Sequence, residues 1–167
     1  YSDVEVGLSG YTGIHDPYFR DRFWYGNLDV KYKYRPDAYT SLVIQGELLH
    51  NIRAAHQNRN LEHFLDAGGL PTCRTIRSWG LYLYTEYQFL KLYTAGMRYD
   101  WSQAPYGTDD RTQAVAAFLG YYPVEETLGI RLHYQHTRTE EAGEAQAVNL
   151  IALQLLFSLG PHKAHPF

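Results

Sequence analysis

The sequence predicts an all-β protein: an antiparallel up-and-down transmembrane β-barrel, with eight strands in this chain. Three observations predict it. Eight successive segments alternate apolar and polar residues with a period of two, the spacing that sends side chains to opposite faces of a strand. The connections between them alternate short turns with longer polar links. On the apolar parity, aromatic residues gather near both strand ends with aliphatic residues between, as at the two interfaces of a bilayer.

The first strand, residues 2–14, sets Val4, Val6, Leu8 and Ile14 against Asp3, Glu5 and Ser9. The second, 22–34, sets Trp24, Leu28, Val30, Tyr32 and Tyr34 against Asn27, Asp29, Lys31 and Lys33. The third, 39–53, opposes Leu42, Ile44, Leu48 and Ile52 to Ser41, Gln45, Glu47, Asn51 and Arg53. The fourth, 77–89, opposes Trp79, Leu81, Leu83, Tyr87 and Phe89 to Ser78, Tyr82, Tyr84, Glu86 and Gln88. The fifth, 92–102, opposes Tyr93, Ala95, Met97, Tyr99 and Trp101 to Thr94, Gly96, Arg98 and Asp100. In the sixth, 111–122, Ala114, Ala116 and Ala117 blur the parity. The seventh, 127–139, opposes Leu128, Ile130, Leu132 and Tyr134 to Arg131, His133, Gln135 and Thr137. The eighth, 147–159, opposes Ile151, Leu153, Leu155, Phe157 and Leu159 to Ala152, Gln154 and Ser158.

Short turns are expected at 34–39, where Pro36-Asp37 favours a tight reversal, at 89–92 and at 122–126. Longer links are expected at 15–21, 54–75, 103–110 and 139–146. In outer-membrane barrels the short turns are periplasmic and the long loops external. Both chain ends then lie on the periplasmic side, as an even strand number requires. Residues 1–160 form the strands and loops, and 161–167 a periplasmic tail. The chain opens on Tyr1 without Met or signal peptide, so a processed chain or a piece of a longer one is expected.

The periplasmic aromatic girdle consists of Tyr32, Tyr34, Tyr87, Phe89, Tyr93 and Phe157, and the opposite girdle of Trp24, Trp79, Tyr99, Trp101 and Tyr134. The polar parity places Asp29, Lys31, Glu47, Arg53, Glu86, Arg98, Asp100, Arg131 and His133 toward the lumen. A water-soluble barrel with the apolar parity inside fits the alternation equally. Against it, a small closed barrel has too little interior for so many Trp and Tyr.

Composition narrows the function classes. A net charge of −3 gives no reason to expect nucleic acid as a partner. Charged residues make up 20% of the 167 and mean hydropathy is −0.42, which excludes a bundle of membrane helices. The uncharged stretch 145–161 contains Asn149, Gln154 and Ser158, alternates, and is short for a helical span of about 20 residues. One cysteine, Cys73, rules out a disulfide within the chain.

Residues Ser78-Trp79-Gly80-Leu81-Tyr82, Gly96-Met97-Arg98-Tyr99-Asp100-Trp101-Ser102, Gly129-Ile130-Arg131-Leu132-His133-Tyr134 and the ending from Phe157 to Phe167 carry a resemblance. They resemble the C-terminal part of bacterial outer-membrane proteins of the porin-like and TonB-dependent-receptor-like kind. The earlier strands match only in pattern. The resemblance implies location in the bacterial outer membrane, with Phe167 as an assembly signal. Its implied partners are the lipid bilayer, lipopolysaccharide, the barrel-assembly machinery and further copies of the chain. No cofactor is expected. The chain shows neither a TonB box nor a plug before its first strand, so the eight strands either close or belong to a wider barrel.

Strand number decides what the inward charges do. Eight closed strands leave a lumen that side chains fill, which gives a structural or interaction protein that self-assembles or presents its loops. A wider barrel makes the same residues line a channel of weak ion preference, passing or binding small solutes. No nucleophile–base–acid set accompanies His136, Thr137 and Arg138, so no enzyme is expected. His162 and His165, three apart, are weak metal candidates, and His50, His56 and His63 lie in or beside the longest loop. In that loop Asn60 to Gly68 reads as one or two helical turns, with Leu61, Phe64 and Leu65 in need of burial. Cys73 is a lone thiol nearby.

Overall fold

Alternating β-branched, aromatic and charged residues form strands throughout this chain, because each side chain finds one of two chemically distinct faces. A computed structural model describes residues 1–16, 18–57, 62–105, 110–124 and 128–157. Eight strands follow in chain order: β1 (Ser2–Asp16), β2 (Asp21–Tyr34), β3 (Ser41–Ala55), β4 (Arg74–Phe89), β5 (Tyr93–Gln103), β6 (Arg111–Val124), β7 (Leu128–Glu141) and β8 (Glu144–Phe157). They form one sheet in sequence order, each strand antiparallel to the next.

Register keeps the two parities apart across the sheet except at shifts near Asp16 in β1 and Val124 in β6. One row runs Leu8, Leu28, Leu48, Leu81, Trp101, Gln113, Arg138, Ala147. The row beside it, on the other face, runs Gly7, Asp29, Glu47, Tyr82, Asp100, Ala114, Thr137, Val148. A slip of one residue between any two strands would mix these faces.

The apolar face is the bare one. Leu8 is 85% exposed, and Val6, Leu83, Met97, Leu119, Ile151 and Leu155 are exposed as well. The buried residues Ser78, Thr94, Ala114, Ala116 and Phe118 lie on the polar face. The sheet curves around that face. Tyr84 on β4 reaches past β5 to stack on Phe118 of β6, with ring centroids 5.9 Å apart. Gly96 on β5 makes room, because a Cβ there would collide with the Phe118 ring and the Thr85 carbonyl. The small residues Ala114 and Ala116 leave space on the inner side of β6, which explains why its parity is hard to read in the sequence.

Several expectations need correction. Among the described residues β1 and β8 make no contact, so the eight strands form an open sheet with two free edges. The link expected at 139–146 is a two-residue hairpin: Ala142 and Gly143 both take positive φ, as a primed turn matching the strand twist requires. The β1–β2 link is reduced to residues 17–20. Length alternation therefore rests on the connections 56–73 and 104–110 alone. The inner side of β8 carries Val148 and Leu150, both exposed, so this strand is apolar on both faces.

The helical turns expected between Asn60 and Gly68 are absent from the described part of the loop. Phe64 N–H donates to the His56 carbonyl at 2.8 Å, and Thr72 N–H to the Phe64 carbonyl at 2.7 Å. Bridges Gln57–His63 and Leu65–Pro71 fold the segment into a small ribbon. Its tip is held by Asp66 Oδ1, which accepts from the Gly68 and Leu70 amides. Leu65 stays 53% exposed. Asn60, Leu61 and the tail with His162, His165 and Phe167 lie outside the described residues.

Candidate functional site

Three features of this sheet carry chemistry: the polar face, the aromatic rows of the apolar face, and a cluster at the end where connections 17–20 and 56–73 meet.

On the polar face Asp29, Lys31, Glu47, Arg53, Glu86, Arg98, Asp100, Arg131 and His133 stand on the same side. Arg98 grips Asp100 through Nε and its terminal nitrogen, at 2.9 and 2.6 Å, and its guanidinium lies 4.8 Å from the centre of Tyr82. Gln45 donates to the Tyr82 hydroxyl at 2.6 Å. Tyr84 donates to Glu86 at 2.6 Å, and Arg131 covers the Phe118 ring at 3.4 Å. Asp29 lies over Gly7, and Lys31 sits 4.0 Å from Glu5. The charges are mixed in sign and paired over short spans. The Arg98 side chain remains 50% exposed, so water reaches this pair.

The apolar face carries two stacked aromatic rows. Toward the turns 35–40 and 90–92, Tyr87, Phe89, Tyr93 and Tyr121 stack in succession, with centroids 6.0, 5.4 and 5.2 Å apart. Toward the 56–73 end, Trp24 meets His50 edge-on at 6.1 Å and His50 lies flat on Trp79 at 3.9 Å. Tyr32 and Tyr34 share this face on β2, Tyr99 and Trp101 on β5, and Phe157 on β8. Tyr134 donates to Asn149 Oδ1 at 2.9 Å, and the same oxygen lies 2.8 Å from His136 Nδ1. Sequence reasoning missed Tyr121 and His50 as members of these rows. His50 stands on the same parity as Leu48 and Ile52, which was the available signal. Between the rows, small Ala95 and Ala117 leave a shallow apolar depression of about 590 Å³, walled by Tyr87, Met97, Leu132 and Tyr134.

At the 56–73 end, Asp21 is 4% exposed and both of its oxygens hold His56. Oδ2 accepts the His56 backbone amide at 3.0 Å, and Oδ1 lies 2.7 Å from His56 Nδ1. Phe19 stacks on the imidazole at 4.7 Å and meets His63 edge-on at 5.5 Å. The ribbon brings Cys73 back to this pair. One ligand atom from each of Asp21, His56 and Cys73 lies within 4.8 Å of the other two. The sequence pointed to His56, His63 and Cys73 separately, and Asp21 was missed.

Among the described residues no helix is long and apolar enough to cross a membrane, which says nothing of strands. Compared with known protein families, with curated proteins and with solved structures, the chain matches none.

Proposed function

We propose that this chain is part of an outer-membrane β-barrel of the porin-like or receptor-like kind, passing or binding small solutes through a polar lumen. One observation carries the reading: over eight strands the aliphatic and aromatic parity is turned outward and bare, while the charged residues of β1 to β5 and β7 line the concave side. In water this arrangement leaves a very large apolar surface uncovered. In a bilayer hydrocarbon covers it, and the tyrosine and tryptophan rows fall at the interfaces.

Further features support the same placement. Arg22 and Arg77 stand on the outer face at the 56–73 end, near Trp24 and Trp79, and Arg111 and Arg138 stand there too, both paired with Glu140. Arginine there suits the phosphates of lipopolysaccharide in the outer leaflet, with connection 56–73 external. Assembly with copies of the chain would use this same outer face. The open edges and the water-accessible Arg98–Asp100 pair favour a barrel wider than eight strands. The reading assigns no reaction to the protein.

A second reading is favoured by the Tyr84–Phe118–Arg131 packing, which crosses the concave side as a filled core would. It makes the protein a structural or interaction barrel. Planar-bilayer conductance of the full-length protein separates the two. The solute-passing reading expects steady single-channel steps of weak ion preference. Correctly folded protein that passes no current would overturn it in favour of the filled barrel.

A further inference from the structure

We propose that Asp21, His56 and Cys73 bind a divalent cation of the zinc class at the external end of the sheet. The donor set is a carboxylate, an imidazole and a thiol, the three ligand types that zinc takes in proteins. Bonds of about 2.0–2.3 Å put tetrahedral donor atoms about 3.3–3.8 Å apart. The three atoms here lie within 4.8 Å of one another, so closure around an ion needs about 1 Å of movement.

The site is rigid on one side and adjustable on the other. Asp21 is buried at the start of β2 and holds His56, the residue after β3, by backbone and ring together. Phe19 fixes the plane of the imidazole by stacking on it, with 18° between the rings. Such outer support is what keeps metal-binding histidines in one orientation. Cys73 is the exposed partner, placed one residue before β4, and its thiol reaches the Arg74 carbonyl only at 3.9 Å. It is therefore the donor that moves.

A second imidazole stands outside this donor set. His63 is bridged to Gln57, the residue after His56, and packs on the edge of the same Phe19 ring. A purely structural His–Asp staple would explain Asp21 and His56. It gives no reason for the ribbon of 62–73 to return the Cys73 thiol to the same place. Binding releases the Cys73 thiol proton to solvent, and the thiolate becomes a ligand.

The test uses the full-length protein in detergent, titrated with Co²⁺ and then with Zn²⁺. The expected result is a thiolate-to-cobalt charge-transfer absorption that saturates at one ion per chain and disappears when Zn²⁺ is added. Cys73→Ser should abolish the absorption, and Asp21→Asn and His56→Gln should each weaken binding by about tenfold or more. Cys73→Ser changes an exposed side chain, so the barrel should still show its folded circular-dichroism spectrum. Folded wild-type protein that gives no charge-transfer band would overturn the proposal. So would Zn²⁺ affinity unchanged in Cys73→Ser. Neither result bears on whether the sheet spans a membrane.

Discussion

His50 lies flat on Trp79, with ring centroids 3.9 Å apart and 15° between the planes. The two are register partners across β3 and β4, and Trp24 of β2 closes on the imidazole from the other side. Gly26, opposite His50 on β2, leaves the space that the Trp24 ring occupies. Three rings with apolar bodies and polar N–H edges thus form one row across three strands, the chemistry that suits a boundary between hydrocarbon and headgroups.

All three tryptophans share the apolar face, so their emission reports what wets it. In vesicles containing brominated acyl chains, quenching should be strong, and iodide in the buffer should quench weakly. The opposite pattern would show that water, not lipid, covers Trp24, Trp79 and Trp101.

Leu132 stands mid-strand on the same face, 49% exposed, opposite Leu119 and Leu153. Leu132→Arg should lower stability by about 2–4 kcal/mol in a bilayer, read as a shift of the denaturant midpoint in vesicles. A change within a few tenths of a kcal/mol would place this position in water.

Gly96 passes beneath Phe118 where no Cβ fits. Gly96→Leu should overpack the concave side and cost about 1–3 kcal/mol. Unfolding measurements on the variant, and on the pair Gly96→Leu with Phe118→Ala, check it. The second substitution should restore part of the loss by removing the obstructing ring.

Asp100 is paired to Arg98 by a fork of charged hydrogen bonds in a water-accessible setting. Asp100→Asn should change stability by less than about 1 kcal/mol. It should shift ion preference toward anions, seen as a displaced reversal potential under a salt gradient.

The strands and their faces were legible because alternation is a local signal repeated at nearly every residue from Val4 to Phe157. It weakened at β6, where small Ala114 and Ala116 share the inner side with Phe118, the ring that Tyr84 of β4 and Arg131 of β7 pack against. The loop misled through its local spacing. Phe64 and Leu65 look helical, yet the amides of Phe64 and Thr72 find carbonyls across a ribbon. The cluster at Asp21 was out of reach, because its members come from the start of β2, the residue after β3 and the approach to β4. Only the register of two hairpins brings them together. Closure is also a property of strands far apart in the chain, so the open sheet could not be read from any one segment.

On the membrane reading proposed above, the margins that β1 and β8 leave unpaired among the described residues would set how wide a ring could form. Each margin exposes a ladder of amides and carbonyls, and acyl chains would offer those groups nothing to bond, at several kcal/mol apiece. Whatever backbone paired with both margins would then fix the circumference, and with it the calibre of any opening through the middle.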